Sequence, residues 1–490
     1  MPDAAGPRAP RGGTGRTAVV VGGGLAGTTA ALALAGAGLQ VTLLESRPRL
    51  GGLVFSFQRD SAAGRLSVDN GQHVYLRCCT AYTGLLERLG AAPLAPVQPR
   101  LDVPVLRAGA TSQGEQWRAG LRLGRLRRTA APVPLHLARS LATYPHLSLG
   151  ERAAVGRAAL ALGALDPADP ALDDVDFASW LRDHGQSDTA IEALWDLVGV
   201  ATLNARAANA SLALAAKVFG TGLLSAPGAA DIGWARVPLG EIHDTLAAKA
   251  LQKAGVRVEL RCRAGAVSRT EDGRWRVAAE HGPTGRDQVE ADTVVLALPQ
   301  RETHGLLPTG ALPDPDRLLD IGTAPILNLH VVYDRKVLRR PFFAALGSPV
   351  QWVFDRTDTS GLADNPSAGG SQYLAVSQSA AEDEIDQPVA ALRARYLPEL
   401  QRLLPAARGA GVTDFFVTRE RTATFAPRPG VGRLRPAART RTAGLYLAGA
   451  WTATGWPATM ESAVRSGLAA AREAITELGF PPASLPKEAA

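Results

Sequence analysis

The chain has 490 residues, of which 46% are apolar and 20% are charged, with a formal net charge of +7. This composition excludes an intrinsically disordered chain and predicts a globular protein of two or more domains. Three cysteines exclude a disulfide framework and favour a reducing cytoplasm, and no apolar run reaches the roughly 18–20 residues that span a bilayer, so we expect no integral membrane segment.

The first predicted element is a β-α-β unit. Ala18–Val21 is a short β-branched run, Leu25–Ala37 has the composition of a helix, and Val41–Leu44 is a buried strand that ends at Glu45. Between the first strand and the helix stands a G-x-G-x-x-G turn. Such a turn predicts a nucleotide site at the N-terminus of the helix.

Residues 101–235 are predicted to be mainly helical. Ser148 and Glu151 form a capping-box pattern, and Gly185 ends a helical stretch over Asp176 to His184. Within this region, residues 117–128 place five arginines among leucines and a tryptophan. The cluster predicts peripheral contact with an anionic membrane surface, and an ordinary solvated basic face is the alternative. No nucleic-acid partner is expected, because no nucleic-acid motif accompanies the cluster.

The rest of the chain returns to strands and helices of α/β type. The predicted strands are Val256–Leu260, Ala266–Ser268, Arg274–Ala278, Thr293–Leu298, Ile326–Tyr333, Gln372–Ser377 and Leu445–Ala448. The predicted helices are Leu239–Ala254, Val389–Leu404 and Met460–Leu478. Asp272-Gly273 is a hairpin signal, and Gly255 ends the first of these helices.

The simplest architecture is a discontinuous Rossmann-type domain with an inserted α+β substrate domain. The nucleotide-binding parts are predicted at residues 17–100, 236–305 and 431–480, and the substrate parts at residues 101–235 and 306–430. Residues 1–16 and 481–490 are predicted to be disordered tails.

The glycine turn has a defined role for each glycine. Gly22 permits the tight turn, Gly24 lets the backbone approach a pyrophosphate, and Gly27 permits close helix packing. Glu45 falls 23 residues after Gly22, where its carboxylate can accept hydrogen bonds from the ribose hydroxyls. An acidic residue there disfavours NADP but leaves NAD and FAD open.

Three further segments distinguish these cofactors by resemblance. Residues 45–52 resemble the E-x-R-x-x-x-G-G run of the flavin amine oxidase and phytoene desaturase superfamily, residues 291–299 its second signature, and residues 456–463 after Gly449 its C-terminal segment. The resemblance implies FAD and a GR2-like flavoprotein fold. Together, the motifs and the resemblance predict FAD contacts at Gly22, Gly23, Gly24, Leu25, Ala26, Gly27, Glu45, Ser46, Arg47, Gly51, Gly52, Leu53, Gly71, Gln72, His73, Val258, Gly449, Ala450, Trp456, Ala458, Thr459 and Met460.

Four segments narrow the resemblance further. Residues 68–74, 194–196, 202–204 and 451–460 resemble hydroxysqualene dehydroxylases, also called squalene-associated FAD-dependent desaturases, and the likeness runs from about Thr17 to Leu478. It implies that the hydroxyl of hydroxysqualene is replaced by hydride from reduced FAD, giving squalene for hopanoid synthesis. An allylic alcohol that loses water leaves a delocalised cation, so the site needs an acid and a dry apolar cavity.

The chain departs from the superfamily pattern at two positions. Leu53 stands where arginine is usual, and Ala450 stands where aspartate is usual. Each change removes one polar contact to FAD, which costs about 1–3 kcal/mol if nothing compensates.

His73 is the leading candidate for the acid, because it follows Gly71-Gln72 and an imidazole titrates near neutral pH. A structural histidine is the alternative. Tyr75 and Asp69 are further candidates, and fixing of the loop is the alternative role for Asp69. No spacing typical of a zinc or iron–sulfur site is present.

Two other functions stay open on the sequence. One is oxidation on the same fold, as a carotenoid-precursor desaturase or an amine oxidase, although only five lysines are available for the lysine that many amine oxidases place near the flavin. The other is a non-enzymatic prenyl-protein binder, as in GDP-dissociation inhibitors. The expected location is cytoplasmic, peripherally attached to the inner face of the cell membrane, and the electron donor is unassigned.

Overall fold

The computed structural model describes residues 15–109, 121–282, 285–365 and 368–480. Its strands are β1 (Thr17–Val21), β2 (Gln40–Glu45), β3 (Ser56–Ser61), β4 (Gly64–Asp69), β5 (Val74–Leu76), β6 (Asp102–Arg107), β7 (Arg122–Arg127), β8 (Ile232–Trp234), β9 (Arg257–Leu260), β10 (Cys262–Arg269), β11 (Trp275–His281), β12 (Gly285–Ala291), β13 (Thr293–Leu296), β14 (Thr323–Tyr333), β15 (Phe342–Leu346), β16 (Trp352–Asp355), β17 (Gln372–Ser379), β18 (Val412–Phe425) and β19 (Leu445–Leu447).

The helices lie between groups of these strands along the chain. They are α1 (Leu25–Gly36), α2 (Thr80–Arg88), α3 (Ala138–Ala142), α4 (Leu149–Gly163), α5 (Phe177–Asp183), α6 (Asp188–Ala190), α7 (Leu197–Leu203), α8 (Leu212–Leu223), α9 (Ala247–Lys253), α10 (Gln300–Leu306), α11 (Arg317–Asp320), α12 (Val389–Leu403) and α13 (Met460–Glu477). Two π-helical segments, Ile191–Asp196 and Glu241–Leu246, lead into α7 and α9. None of the helices in the described ranges combines the length and the apolarity needed to cross a bilayer.

A five-stranded parallel sheet forms the nucleotide-binding core, in the order β19-β13-β1-β2-β9. Its strands come from three separate parts of the chain, which confirms the discontinuous Rossmann-type fold. Helices α1 and α13 pack against each other beside this sheet. Their contact is so close that a Cβ on Gly467 would lie 2.2 Å from the Ala26 carbonyl oxygen. The sheet and the α1–α13 pair therefore bring residues 17–45 and residues 445–477 together.

A seven-stranded mixed sheet forms the second layer, in the order β18-β14-β17-β16-β15-β6-β7. Side chains alternate between its two faces. On one face, Leu327, Leu329 and Val331 share a core with α12. The opposite face carries Asn328, whose side chain reaches the loop that follows β4. This second face is therefore turned toward the nucleotide-binding part.

Smaller sheets accompany these two sheets. Strands β10, β11 and β12 form an antiparallel meander whose first turn is the expected Asp272-Gly273 hairpin, with Gly273 at a φ of +83°. Strands β5 and β8 pair antiparallel, with Val74 opposite Trp234. The capping box of Ser148 and Glu151 is also confirmed at the start of α4.

The prediction that residues 101–235 are mainly helical is wrong at three strands, β6, β7 and β8. Strand β6 pairs with β15 in parallel, with Val105 opposite Ala344, so this region contributes to the second sheet. The partner strand of β6 lies more than 200 residues away in the sequence, so local periodicity does not predict this pairing. The division into domains by residue number remains a prediction.

The predicted tails fall largely on residues 1–14 and 481–490, which lie outside the described residues. Arg16 is an exception to the predicted disorder, because its guanidinium pairs with Asp292 at 2.9 Å and its carbonyl accepts a hydrogen bond from Gln40 N. The backbone here is already fixed by strand pairing.

Candidate active site

Two of the predicted cofactor loops meet at their glycines. Gly51 N donates to the Gly23 carbonyl at 2.9 Å, and Gly24 pairs with Gly51 as an isolated parallel bridge. Gly52 has a φ of +59°, and a Cβ there would lie 2.9 Å from the Gly24 Cα. Only backbone therefore separates the loop after β1 from the loop after β2.

The N-terminus of α1 opens at this junction. Gly24 is its N-cap residue and supplies no side-chain hydrogen bond to the first turn. A 12-residue helix leaves its first N–H groups without partners inside the helix, and such groups bind phosphate. The bare glycine surface and the uncapped helix end fit the pyrophosphate of a dinucleotide.

Glu45 organises the same corner from the end of β2. One carboxylate oxygen accepts from Gly23 N at 2.7 Å, and the other accepts from Arg47 N at 2.7 Å and from Ser46 Oγ at 3.3 Å. A carboxylate has lone pairs left after these bonds, so ribose hydroxyls can still donate to it. Val258 lies on the neighbouring edge strand β9, opposite Leu43 of β2.

The third loop follows β19, at the same carboxyl edge of the parallel sheet. Gly449 N donates to Ser466 Oγ of α13 at 2.8 Å. The buried guanidinium of Arg435 holds this loop through its carbonyls, donating to Thr452 O at 2.6 Å and to Trp456 O at 2.9 Å. Burial lowers the pKa of Arg435 to about 10. Sequence reasoning missed this residue, because no local pattern links it to the loop.

The predicted contacts of this third loop lie where α13 begins. Thr459 caps α13 by accepting from Ser462 N at 3.1 Å, and Met460 is the first helical residue. Trp456 is buried, and the Lys217 Nζ lies 4.9 Å from its ring centroid. Ala450 accepts from Ser462 Oγ at 3.0 Å through its carbonyl. Ala458 packs half-buried against the core.

The loop after β4 lies across from these three. Asn70 joins it to the loop after β2, which is the second cofactor loop, because Asn70 Nδ2 donates to the Leu53 carbonyl at 2.9 Å. Two buried polar atoms here have no hydrogen-bond partner among the described residues, namely Gln72 Nε2 and Asn328 Oδ1. Unpaired buried groups are costly, so a bound group is expected to satisfy them. The residues present therefore fit FAD, although each individual contact stays a prediction.

The three candidate acids have different surroundings. His73 Nδ1 lies 3.2 Å from the Gly71 carbonyl, and burial lowers the pKa of His73. The Tyr75 hydroxyl donates to the Ala95 carbonyl, and burial raises the pKa of Tyr75. Both shifts disfavour the charged form, so His73 is neutral at neutral pH.

Asp69 is occupied on both carboxylate oxygens. One accepts from Ser56 Oγ at 2.6 Å and from Leu239 N at 3.0 Å, and the other forms a buried ion pair with Arg356. These contacts tie β4 to the second sheet. They support the loop-fixing alternative for Asp69.

The second face of the seven-stranded sheet completes the site. It has a polar end where Asn328 Nδ2 and Thr418 Oγ1 both donate to the Asn70 carbonyl, at 3.2 and 2.9 Å. Glu420, on the same face, accepts from Asn70 Nδ2 at 3.0 Å. Sequence reasoning missed Asn328 and Glu420, since each lies in a strand with no motif.

An aromatic cluster occupies the same face beyond the polar end. Its members are Trp234, Phe342, Trp352 and Phe354. The Phe342 ring centroid lies 5.4, 6.2 and 5.8 Å from those of Trp234, Trp352 and Phe354. Ser377 stands between Asn328 and Trp352 in the cross-strand row. Two strand spacings, about 10 Å, thus separate the polar end from the aromatic cluster.

Two buried histidines beside the site predict that the folded protein becomes less stable at acidic pH. His243 Nε2 lies 3.0 Å from the Tyr82 hydroxyl, and His330 Nε2 lies 3.0 Å from Thr418 Oγ1. Burial lowers the pKa of each to about 3. The unfolded chain binds these protons near pH 6.5, so the folded state loses stability as the pH falls from 6.5 toward 3.

We expect the free energy of unfolding to fall by about 2 kcal/mol for each histidine between pH 7 and pH 5. Urea unfolding across this range measures the slope. His330→Phe should make the slope shallower, whatever it does to stability at pH 7. An unchanged slope would contradict the assignment of His330.

Comparisons with known proteins match most of the length of the chain. Residues 25–475 match the family described as flavin containing amine oxidoreductase. The chain is 30% identical over 465 residues to a hydroxysqualene dehydroxylase of Rhodopseudomonas palustris, covering 93% of this chain and 97% of the relative. It is 24% identical over 482 residues to a probable zeta-carotene desaturase of Synechococcus elongatus, covering 92% and 97%.

A solved structure agrees on the fold. Cyclohexylamine oxidase of Brevibacterium oxydans superposes with a TM-score of 0.67 at 17% identity, covering 95% of this chain and 99% of that one. The chain therefore belongs to the flavin-containing amine oxidoreductase family, groups within it with the hydroxysqualene dehydroxylases, and is an FAD-dependent oxidoreductase.

Proposed function

We propose that the protein catalyses the reductive dehydroxylation of hydroxysqualene to squalene, in the synthesis of squalene and hopanoids. The relative at 30% identity carries that name, and the match covers almost all of both chains. FAD, when bound and reduced, supplies the hydride. The chain has to bind the isoprenoid, protonate its hydroxyl and exclude water.

The observation that carries this proposal is the second sheet face, polar at one end and aromatic at the other. Asn328, Thr418 and Glu420 lie beside the Asn70 loop, which itself contacts Leu53 of the second cofactor loop. Leu53, whose carbonyl accepts from Asn70, and Val74, which pairs with Trp234 of the aromatic cluster, both have exposed apolar side chains. An isoprenoid alcohol fits such a surface with its hydroxyl at the polar end and its hydrocarbon along the aromatic cluster.

The reaction needs a surface that tolerates positive charge without supplying water. When the protonated hydroxyl leaves as water, the C–O bond breaks and a delocalised allylic cation remains. Trp352 is only partly buried, and the face of its ring attracts a cation through the ring quadrupole, whereas the buried Phe342 and Phe354 contact and support the Trp352 ring. None of these side chains can capture the cation, since none offers an oxygen or an amine.

Two groups at the polar end are candidates for the proton donor. His73 is neutral at neutral pH because burial lowers its pKa, so a donating imidazolium would be a minor species. Glu420 lies on the substrate-facing side of β18 and contacts Asn70. We therefore add Glu420 to the candidates.

Product analysis tests the proposal. Purified, flavin-loaded protein is reduced under anaerobic conditions and incubated with hydroxysqualene, and the extract is examined by gas chromatography and mass spectrometry. Squalene is the expected product, and oxidised or flavin-free protein serves as the control. Unchanged hydroxysqualene in the reduced sample would reject the proposal.

A second candidate is desaturation of a carotenoid precursor, favoured by the relative named as a probable zeta-carotene desaturase. The same aromatic face would accept a polyene. This function requires oxidised flavin, so oxidised protein incubated with zeta-carotene would show new long-wavelength absorbance. That result, with no squalene formed from hydroxysqualene, would favour the second candidate.

Trp352→Leu tests the role of the aromatic cluster. Loss of one desolvated cation–π contact of about 2 kcal/mol predicts a turnover number about 30-fold lower. Flavin content should stay that of the wild type, because Trp352 lies on the substrate-facing sheet. Trp180→Leu on α5 is the matched control and should retain turnover. Equal turnover in both variants would contradict a role for the cluster.

A further inference from the structure

The segment formed by residues 121–164 is rich in exposed apolar side chains and in basic side chains. Its exposed leucines are Leu121, Leu123, Leu135, Leu149 and Leu160, at 39%, 46%, 60%, 78% and 59% of their full accessibility. Over these 44 residues there are seven arginines and a single acidic residue, Glu151. Exposed apolar patches rimmed by charge mark interaction surfaces.

The elements of this segment form one contiguous layer. Ser140 of α3 bridges to the edge strand β7, accepting from Arg127 N at 2.7 Å. Arg152 of α4 reaches back to the end of α3, donating to the Ala142 carbonyl at 2.5 Å and to the Leu147 carbonyl of the intervening loop at 3.0 Å. Edge strand, α3 and α4 are thus held together, and each of them has side chains exposed to solvent.

The outer side of α4 is an apolar stripe. Leu149, Ala153, Arg157, Leu160 and Ala164 are all exposed. They recur at intervals of three or four residues, so they share one side of the helix. The opposite side, with Val155, Ala158 and Leu162, packs in the core. Among the described residues, nothing covers the outer stripe.

The arginines of this surface fall into two groups. Arg125 is held by Asp102 at 2.6 Å, and Arg128 by the buried Asp231 at 2.6 Å. Arg122, Arg127, Arg139 and Arg157 are exposed and have no ion pair within the described ranges. The membrane contact predicted for residues 117–128 therefore changes, because two arginines of that cluster form ion pairs within the protein. Residues 117–120 of the cluster lie outside the described residues.

We infer that the layer of β7, α3 and α4 docks on an anionic lipid bilayer. The leucines of the stripe would enter the headgroup boundary, and the four unpaired arginines would meet anionic headgroups. A protein partner is less suited, since protein interfaces are enriched in aromatic residues and methionine, whereas the exposed large apolar side chains of this segment are all leucines. The inference is independent of which reaction the enzyme catalyses.

Flotation of the FAD-loaded, full-length protein with vesicles tests the inference. Vesicles of phosphatidylcholine with phosphatidylglycerol should carry the wild type upward, and pure phosphatidylcholine vesicles should carry about tenfold less. Leu149→Ser with Leu160→Ser should lower binding by about tenfold or more. The matched control, Leu260→Ser with Leu319→Ser, removes exposed leucines elsewhere and should bind as the wild type.

A charge-matched pair of variants separates local from overall charge. Arg122, Arg127, Arg139 and Arg157 changed to Gln should lose binding to the anionic vesicles. Arg263, Arg301, Arg339 and Arg340 changed to Gln alter the net charge equally and should retain it. Flavin absorbance and the unfolding midpoint verify that each variant is folded.

Three results would overturn the inference. The first is wild-type protein that stays at the bottom of the gradient with anionic vesicles. The second is equal loss of binding in the patch variants and their controls. The third is a dimer of the wild type, seen by light scattering, that disappears in the leucine variant while vesicle binding is absent, which would make the surface an interface between copies of this chain.

Discussion

Gly24→Ala is expected to give a folded protein that no longer retains FAD. A Cβ at Gly24 meets nothing in the protein closer than the Gly52 Cα, at 3.7 Å, so the fold tolerates it. The same Cβ projects into the surface where the two glycine loops meet and where the pyrophosphate must approach the backbone. We expect FAD affinity to fall by about 100-fold.

Two other glycines give the contrast that the measurement needs. Gly84 of α2 has open space around its Cα, so Gly84→Ala should retain flavin. Gly27 is different, because a Cβ there would lie 1.8 Å from the Gly22 carbonyl oxygen. Gly27→Ala should therefore destabilise the fold itself. Flavin absorbance after gel filtration, together with thermal unfolding of the apoproteins, separates the three cases. Full flavin retention by Gly24→Ala would contradict the placement of the pyrophosphate.

Asp69→Asn is expected to lower the stability of the fold by about 3–5 kcal/mol. The Asp69 and Arg356 side chains are only 4% and 9% exposed, so the substitution leaves a buried guanidinium without its counter-charge. Urea unfolding of the purified variant measures the loss. The partner substitution Arg356→Met, added to Asp69→Asn, should recover part of it, because the unpaired charge is then removed.

This prediction decides between the two roles considered for Asp69. A catalytic acid would lose turnover on substitution and keep the unfolding midpoint. A loop-fixing residue would lose stability, and the double variant would regain some of it. The exposed pair of Asp188 with Arg182 is the control, and Asp188→Asn should leave the midpoint unchanged. Wild-type stability in Asp69→Asn would refute the structural role.

Local sequence patterns predict an element correctly where the residues that form it and the residues that give it its function lie in one short segment. The β1-α1-β2 unit is such a case, because the strand, the glycine turn and the helix are adjacent in sequence and the close packing of Gly27 follows from the turn itself. The hairpin at Asp272-Gly273 and the capping box at Ser148 are similar. The hairpin and the capping box depend on contacts within about ten residues, and the strands of the β-α-β unit pair across about 23 residues.

Contacts between residues that are distant in the sequence could not be predicted from local patterns. The sequence does not predict strand β7, because its arginines and leucines also fit a basic helix. The pairing of β7 with β6 joins residues 15 to 25 positions apart, which a local pattern does not indicate. Arg356 pairs with Asp69, which is remote in sequence, and Arg435 binds the Thr452 carbonyl, which no sequence motif indicates. The aromatic cluster requires the register of β15 with β16 and the approach of Trp234 from β8 before its members meet.

The most direct test of the account is an anaerobic single-turnover measurement. Reduced holoprotein is mixed with hydroxysqualene, and the return of the oxidised-flavin absorbance is followed while squalene is quantified in quenched samples. If the flavin lies beside the aromatic, polar-ended sheet face, absorbance should return at the rate at which squalene forms, with one squalene per flavin. Flavin that stays reduced while bound hydroxysqualene remains intact would contradict the account.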